Sequence, residues 1–258
     1  MFIKYKISLV VSVFLIGIIS ASARVTVLGD LSHEMKAEPG DIYYGDILLS
    51  NTGDREEKIQ IYQCDYFFYA DGTTEYGEPG RIKRSNARWM TWQPEQLTLP
   101  PNEQSRVTYK ITVPSADTLS GTYWSMLMVE PLIPGKKRSG VQPVFRYGIQ
   151  IVTHIKNTGQ VMIQFSNINN QFDSDTCRVS VDIENTGSLL IKPEVWIEIY
   201  NDEQLMNKIP GRHMRIYPGT SVRYHLNAPG MVPGCYQSVI IADCGDENLF
   251  GVRHTIKP

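Results

Sequence analysis

The chain repeats itself at the length of a domain, and this feature limits its folds more than any other. "GDILLSNTGD" (45–54) returns as "VSVDIENTGSL" (179–189), and "LPPNEQSRVTYKITVP" (99–114) returns as "YPGTSVRYHLNAPG" (217–230). "GTYWSMLMVE" (121–130) returns as "GCYQSVIIAD" (234–243). Solenoid periods are much shorter, roughly 20–50 residues, so the repetition calls for two copies of one fold in tandem. The second copy is the shorter, and the surplus of the first is placed in the polar, Gly-rich "YADGTTEYGEPGRIKRSNA" (69–87).

Within each copy the apolar runs are short, rich in Val, Ile, Tyr and Thr, and bounded by Gly, Pro, Asn or Asp, as strands and turns require. No long segment keeps a helical period. About seven such runs fill the first copy, beginning with "ARVTVLGDLSHEMKAEPG" (23–40) as one strand, the count of an immunoglobulin-like sandwich. The expected fold is all-β: two tandem immunoglobulin-like β-sandwich domains after an N-terminal signal peptide. The boundaries are 1–23 for the signal peptide, 24–155 for the first domain and 156–258 for the second. The Asn-Thr-Gly turns at 51–53 and 185–187 are read as reversals in which Asn bonds its own backbone and Gly takes positive φ. In Gly121-x-Tyr123 and Gly234-x-Tyr236 the tyrosine is expected to close the core, its hydroxyl reaching backbone.

The opening "MFIKYKISLVVSVFLIGIISASA" sets Lys4 and Lys6 before an apolar run that ends in Ala21, Ser22 and Ala23, the layout of a cleaved export signal. No later stretch has the roughly 20 apolar residues needed to span a bilayer, so no stable membrane insertion is expected. The localisation read from this is periplasmic or extracellular. With 25 basic and 27 acidic residues the net charge is -2, which offers no footprint for nucleic acid. The five histidines, His33, His154, His213, His225 and His254, are scattered, outside any metal-binding frame. No G-x-S-x-G elbow or phosphate-binding glycine loop is present. The expectation is a non-enzymatic protein with no metal and no cofactor.

One strand stands out. "PVFRYGIQIVTHI" (143–155) places Phe145, Tyr147, Ile149 and Ile151 on one side and Val144, Arg146, Gly148, Gln150 and Val152 on the other, so neither face is plainly core or plainly solvent. The order of an "ILLSNTG" strand, "RWMTWQPEQLTLPPNEQSRVTYKITVP", "SGTYWSMLMVEP" and this Arg-bearing strand resembles the first domain of bacterial periplasmic pilus chaperones, the PapD-like group. It also resembles the wider set of bacterial tandem Ig-like surface and envelope proteins. The resemblance implies binding by β-strand addition, in which this strand pairs with a secreted or surface protein subunit during assembly. The partner-binding residues it implies are Phe145, Arg146, Tyr147, Ile149 and Ile151. The alternative is a structural or adhesive cell-envelope protein holding a fixed protein partner or surface polymer. An edge covered by the chain's own N-terminal strand favours that alternative, and an open edge favours the chaperone-like function. Two departures stand out: this strand runs into "THIKNTGQ" rather than an aromatic-Arg-Pro link, and only Arg146 can be placed from the basic pair that the group uses.

Four cysteines permit a bridge in an exported chain. A Cys177–Cys235 pairing stays open: the strand order of a sandwich favours it, whereas the side-chain phase, with Cys177 inward and Cys235 outward, opposes it. Trp89 and Trp92, three apart, point to opposite faces of a regular strand. Trp196 falls in the more solvent-facing phase of "PEVWIEIY". The basic loop "PGKKRSG" (134–140) precedes the strand of interest.

Overall fold

The computed structural model describes residues 24–132 and 145–257. The expected signal segment (1–23) and the basic loop (134–140) lie outside those residues. The first sandwich holds β1 (Val25–Leu28), β2 (Ser32–Ala37), β3 (Ile42–Asn51), β4 (Glu57–Phe68), β5 (Thr74–Gly77), β6 (Met90–Gln93), β7 (Gln96–Leu99), β8 (Gln104–Thr112), β9 (Gly121–Pro131) and β10 (Tyr147–Ile155). One of its sheets runs β1-β3-β8-β6 and the other β2-β10-β9-β4-β5, with β7 beside β4. The second sandwich holds β11 (Ile163–Asp173), β12 (Thr176–Asn185), β13 (Glu194–Asn201), β14 (Gln204–Pro210), β15 (Ser221–Pro229), β16 (Tyr236–Asp243) and β17 (Leu249–Ile256). Its sheets run β11-β12-β15 and β14-β13-β16-β17.

Period-two alternation builds both cores. Val107, Tyr109 and Ile111 of β8, and Val222, Tyr224, Leu226 and Ala228 of β15, turn inward while their neighbours face out. The sequence repeat therefore falls on equivalent strands: β3 and β12, β8 and β15, β9 and β16. The opening stretch departs from expectation. It forms two strands rather than one, with β1 antiparallel to β3 in one sheet and β2 parallel to β10 in the other.

The two Asn-Thr-Gly turns carry the same buried clamp. The Asn51 amide donates to the carbonyls of Arg55 (2.7 Å) and Leu99 (3.0 Å) and accepts from the Gly53 N–H (2.9 Å). Asn185 does likewise with Leu189 (2.7 Å), Ile216 (2.8 Å) and Gly187 (3.0 Å). The glycines are needed for a different reason from the one expected, since neither has positive φ. A β-carbon at Gly187 would overlap the Gln160 carbonyl of the link between β10 and β11, which passes beside the turn. Because Asn185 is wholly buried, Asn185→Ala strands two carbonyls and an N–H. The expected loss is roughly 2–3 kcal/mol, read from a lower urea midpoint.

The sandwiches are joined by backbone and by a shared apolar cluster. Thr122 N–H donates to the Ser188 carbonyl at 2.8 Å, and the Leu190 N–H donates to the Thr122 hydroxyl at 2.8 Å. Gly121 makes this approach possible: its φ is 76°, and a β-carbon there would overlap the Ser188 carbonyl. Trp124 and Val152 of the first sandwich pack on Tyr217 of the second, with Phe67, Phe68, Ile82 and Leu190 around them. The Trp124 and Tyr217 rings stack at 4.7 Å, and the Tyr217 hydroxyl donates to Gln150 Oε1 at 2.6 Å.

An ion cluster closes the same junction. Glu34 of β2 accepts from Lys192 (2.8 Å) and pairs by charge with Arg215 (3.1 Å), with His154 Nε2 at 3.4 Å. Burial pushes the Glu34 carboxyl up, but Lys192, Arg215 and His154 outweigh it and hold it below the usual carboxylate range. Burial also lowers His154, against the pull of Glu34, with Lys192 and Lys36 adding to the fall. Both shifts favour high pH. His154 is best tolerated neutral, so stability erodes as pH falls below its unfolded value near 6.5. The Glu34 contribution is complete above about 4.5 and is lost as pH falls through its lower folded value. A pH series of thermal melts is expected to show both declines, and Glu34→Gln to flatten the lower one.

Candidate partner-binding site

The second face of β10 has two covers. Its far part, at Val152, lies under Tyr217 of the second sandwich. Its near part floors an open groove of about 840 Å³. Register across β4, β9 and β10 sets the floor in rows: Cys64, Met126 and Gln150 in one, Tyr62, Met128 and Gly148 in the next. Beyond them the Glu130 carboxylate accepts from Tyr62 (2.8 Å) and faces Arg146 (3.6 Å). Tyr66, Tyr76, Glu78 and Pro79 complete the walls.

The groove owes one wall to the surplus loop of the first copy. Asp65 of β4, 1% exposed, accepts from the N–H groups of Gly80 (3.1 Å), Arg81 (2.9 Å) and Ile82 (3.0 Å) and from the Ser85 hydroxyl (2.5 Å). β5, which carries Tyr76, pairs with the outer half of β4. At the end of the loop, Asn86 is wholly buried and donates to the Ile151 carbonyl and the Thr153 hydroxyl, both at 3.0 Å. On the floor, Cys64 is 7% exposed, and burial together with Asp65 pushes its thiol up to about 11. It is a packed thiol rather than a nucleophile.

The edge of β10 is covered only in part. β2 pairs with it from Gln150 to Ile155, and the Gln150 N–H donates to the Leu31 carbonyl at 2.9 Å. Ahead of Gln150, among the described residues, no strand pairs with that side of β10. Alternation carries the outward direction of the Gln150 N–H back to Gly148, whose N–H and C=O face this unpaired edge.

The expected partner residues separate into two groups. Phe145 is 44% exposed, Arg146 is exposed and Tyr147 is half-buried. Ile149 and Ile151 are 0% exposed and belong to the first core, so in this fold their side chains are not on offer to a partner. The physical reason is that the odd face of β10 meets the opposing sheet, and the mixed even face meets the groove. Cys177 is buried in the second core, Cys235 is exposed, and the four cysteines are free in this structure. Trp196 lies on the outer face, its ring under Lys208 at 4.5 Å, and both Trp89 and Trp92 pack against the first core. The Tyr236 hydroxyl reaches the Val232 carbonyl (3.2 Å), and the Tyr123 ring packs on Trp89 at a tilt of 41° with centroids 4.6 Å apart. The floor residues Cys64, Met126 and Met128 were missed in the sequence, although "GTYWSMLMVEP", apolar on both faces, carried the signal of a strand covered on two sides.

No protein-family model matches the chain, and no curated protein does. Among solved structures it is similar to the class 5 fimbriae chaperone CfaA at 12% identity, over 91% of this chain and 99% of that one, with a TM-score of 0.47. It is also similar to a chain of the CsuC–CsuE chaperone–tip adhesion subunit complex from the Csu pili of Acinetobacter baumannii, at 14% identity over 77% and 89%, TM-score 0.44. The Escherichia coli chaperone DraB matches at 12% identity over 88% and 97%, TM-score 0.41. Among the described residues, no helix is long and apolar enough to cross a membrane.

Proposed function

We propose that this is an exported, non-enzymatic binding protein of the periplasm or cell surface. It pairs the near edge of β10 with an extended strand of a secreted or surface subunit during assembly. The observation that carries the reading is the interrupted ladder: β2 stops short of Gly148, leaving main-chain donors and acceptors beside the exposed Phe145 and Arg146. Main-chain hydrogen bonds then supply affinity, and the flanking side chains supply selectivity. Phe145, Arg146 and Tyr147 are the partner-facing residues of this reading.

A second reading, a fixed structural or adhesive envelope component, is favoured by β2 itself. It covers the rest of the β10 edge, and Glu34 ties it to the second sandwich. The test separates the two through Gly148→Pro, which removes an outward N–H without breaking the ladder to β9. Tagged protein is captured from its native envelope fraction and co-purifying chains are identified by mass spectrometry. Strand pairing is supported when one small subunit is recovered by the parent protein and lost by a folded Gly148→Pro variant. Equal recovery by both proteins overturns it in favour of the fixed component.

A further inference from the structure

The groove beside the open edge has a gap where β10 has no side chain. Met126, one strand away, leans over that position: a β-carbon at Gly148 would overlap the Met126 sulfur, whose neighbouring carbons lie at 3.2 and 3.3 Å from the same point. The Met126 thioether therefore leans over β10 toward the edge that β2 leaves unpaired. Any strand laid along that edge sends every second side chain to this face, because the period of a strand is two. The residue beside Gly148 meets no β10 side chain and reaches Met126 directly.

We infer that the groove is a specificity pocket for one large aromatic or long apolar side chain of the strand that pairs beside Gly148. This deepens the strand-pairing reading and rests on it. The wall chemistry selects the class. Tyr62, Tyr66 and Tyr76 offer ring faces and edges, and Met126 and Met128 offer adaptable, polarisable thioethers that pack well on aromatic rings. The floor is apolar and little exposed, Met126 at 5% and Met128 at 7%, so a charged or small polar side chain there gains nothing to offset its lost hydration. Among the polar groups, Glu130 is already satisfied by Tyr62 and Arg146 and Gln150 by Tyr217, while the exposed Glu78 sits on the wall and not on the floor.

A photo-crosslinking residue, p-benzoylphenylalanine, placed at position 76 in the full chain tests this in the envelope fraction. The same residue at exposed Tyr44, on the other sheet, is the control. The expected result is an adduct from position 76 only, mapped by fragment mass spectrometry to an aromatic or long apolar residue within an extended segment of another chain. Gly148→Leu, which keeps the backbone donors but fills the gap, is expected to cut that adduct at least tenfold. Its fold is checked by circular dichroism, and the Met126 tip, being flexible, can swing aside. Adducts confined to this chain, an adduct to a charged residue, or no adduct at all overturn the pocket. If Gly148→Pro abolishes capture while Gly148→Leu leaves both capture and crosslinking intact, the pocket fails and strand pairing stands. If neither variant changes capture, both readings fail.

Discussion

Asp65→Ala is expected to destabilise the first sandwich by about 4 kcal/mol and to release the groove wall. The carboxylate is buried and is the shared acceptor for three consecutive backbone N–H groups and one hydroxyl. A hydrogen bond to a charged group is worth roughly 1.5–3 kcal/mol, and each donor left buried without an acceptor adds a penalty of its own. The donors near the surface recover part of this by taking water, which keeps the total well below the simple sum. Two measurements check it: a lower thermal midpoint, and faster amide exchange at Gly80, Arg81 and Ile82 than elsewhere in the sandwich. Asp65→Asn should fall between the two, because its amide keeps one acceptor but turns a second donor toward N–H groups. A change of less than 1 kcal/mol for Asp65→Ala would mean that the loop is held by β5 pairing instead.

Tyr217→Ala is expected to uncouple the two sandwiches. It removes the ring that stacks on Trp124 and the hydroxyl that bonds Gln150, in a cluster where Trp124, Val152 and Tyr217 are almost wholly buried. Truncation of a buried aromatic costs roughly 3–5 kcal/mol. Here the cost falls on the junction, so calorimetry should split one melting transition into two. Tyr217→Phe keeps the stack and loses only the hydroxyl, with an expected loss near 1 kcal/mol and a single transition. One unsplit transition in Tyr217→Ala would assign the coupling to the Gly121–Ser188 backbone contact and the Glu34 cluster.

Much of the fold was legible because local patterning and repetition agreed. Asn51 and Asn185 sit in matching turns and perform matching bonds, and the repeated strands occupy matching places in the sheets. The site was legible only by half. The phase of residues 145–155 was correct, with Arg146, Gly148 and Gln150 together on one face. Which face was core could not be read from a strand with apolar residues on both sides, so Ile149 and Ile151 were expected among the partner-binding residues, whereas the opposing sheet buries them. The floor of the groove depends on register between strands distant in sequence, such as Cys64 opposite Met126, which periodicity does not encode. The split of the opening strand into β1 and β2 had the same cause: its two halves are sorted by partners, not by their own composition.

That split has a consequence for how the molecule is made. A polypeptide emerges amino end first, whether from a ribosome or a translocation pore, and β1 can find β3 soon afterwards. β2 cannot settle, because β10, the strand it must lie along, is the last of its sandwich to appear. Pairings between such distant segments form late and slowly. For that interval β2, with Leu31 just ahead of it and Met35 within it, is an unmatched ribbon open to wrong neighbours. The nascent chain therefore passes through a stage, ended only by the arrival of residue 155, in which it is itself in need of the kind of strand that the finished protein is proposed to offer others.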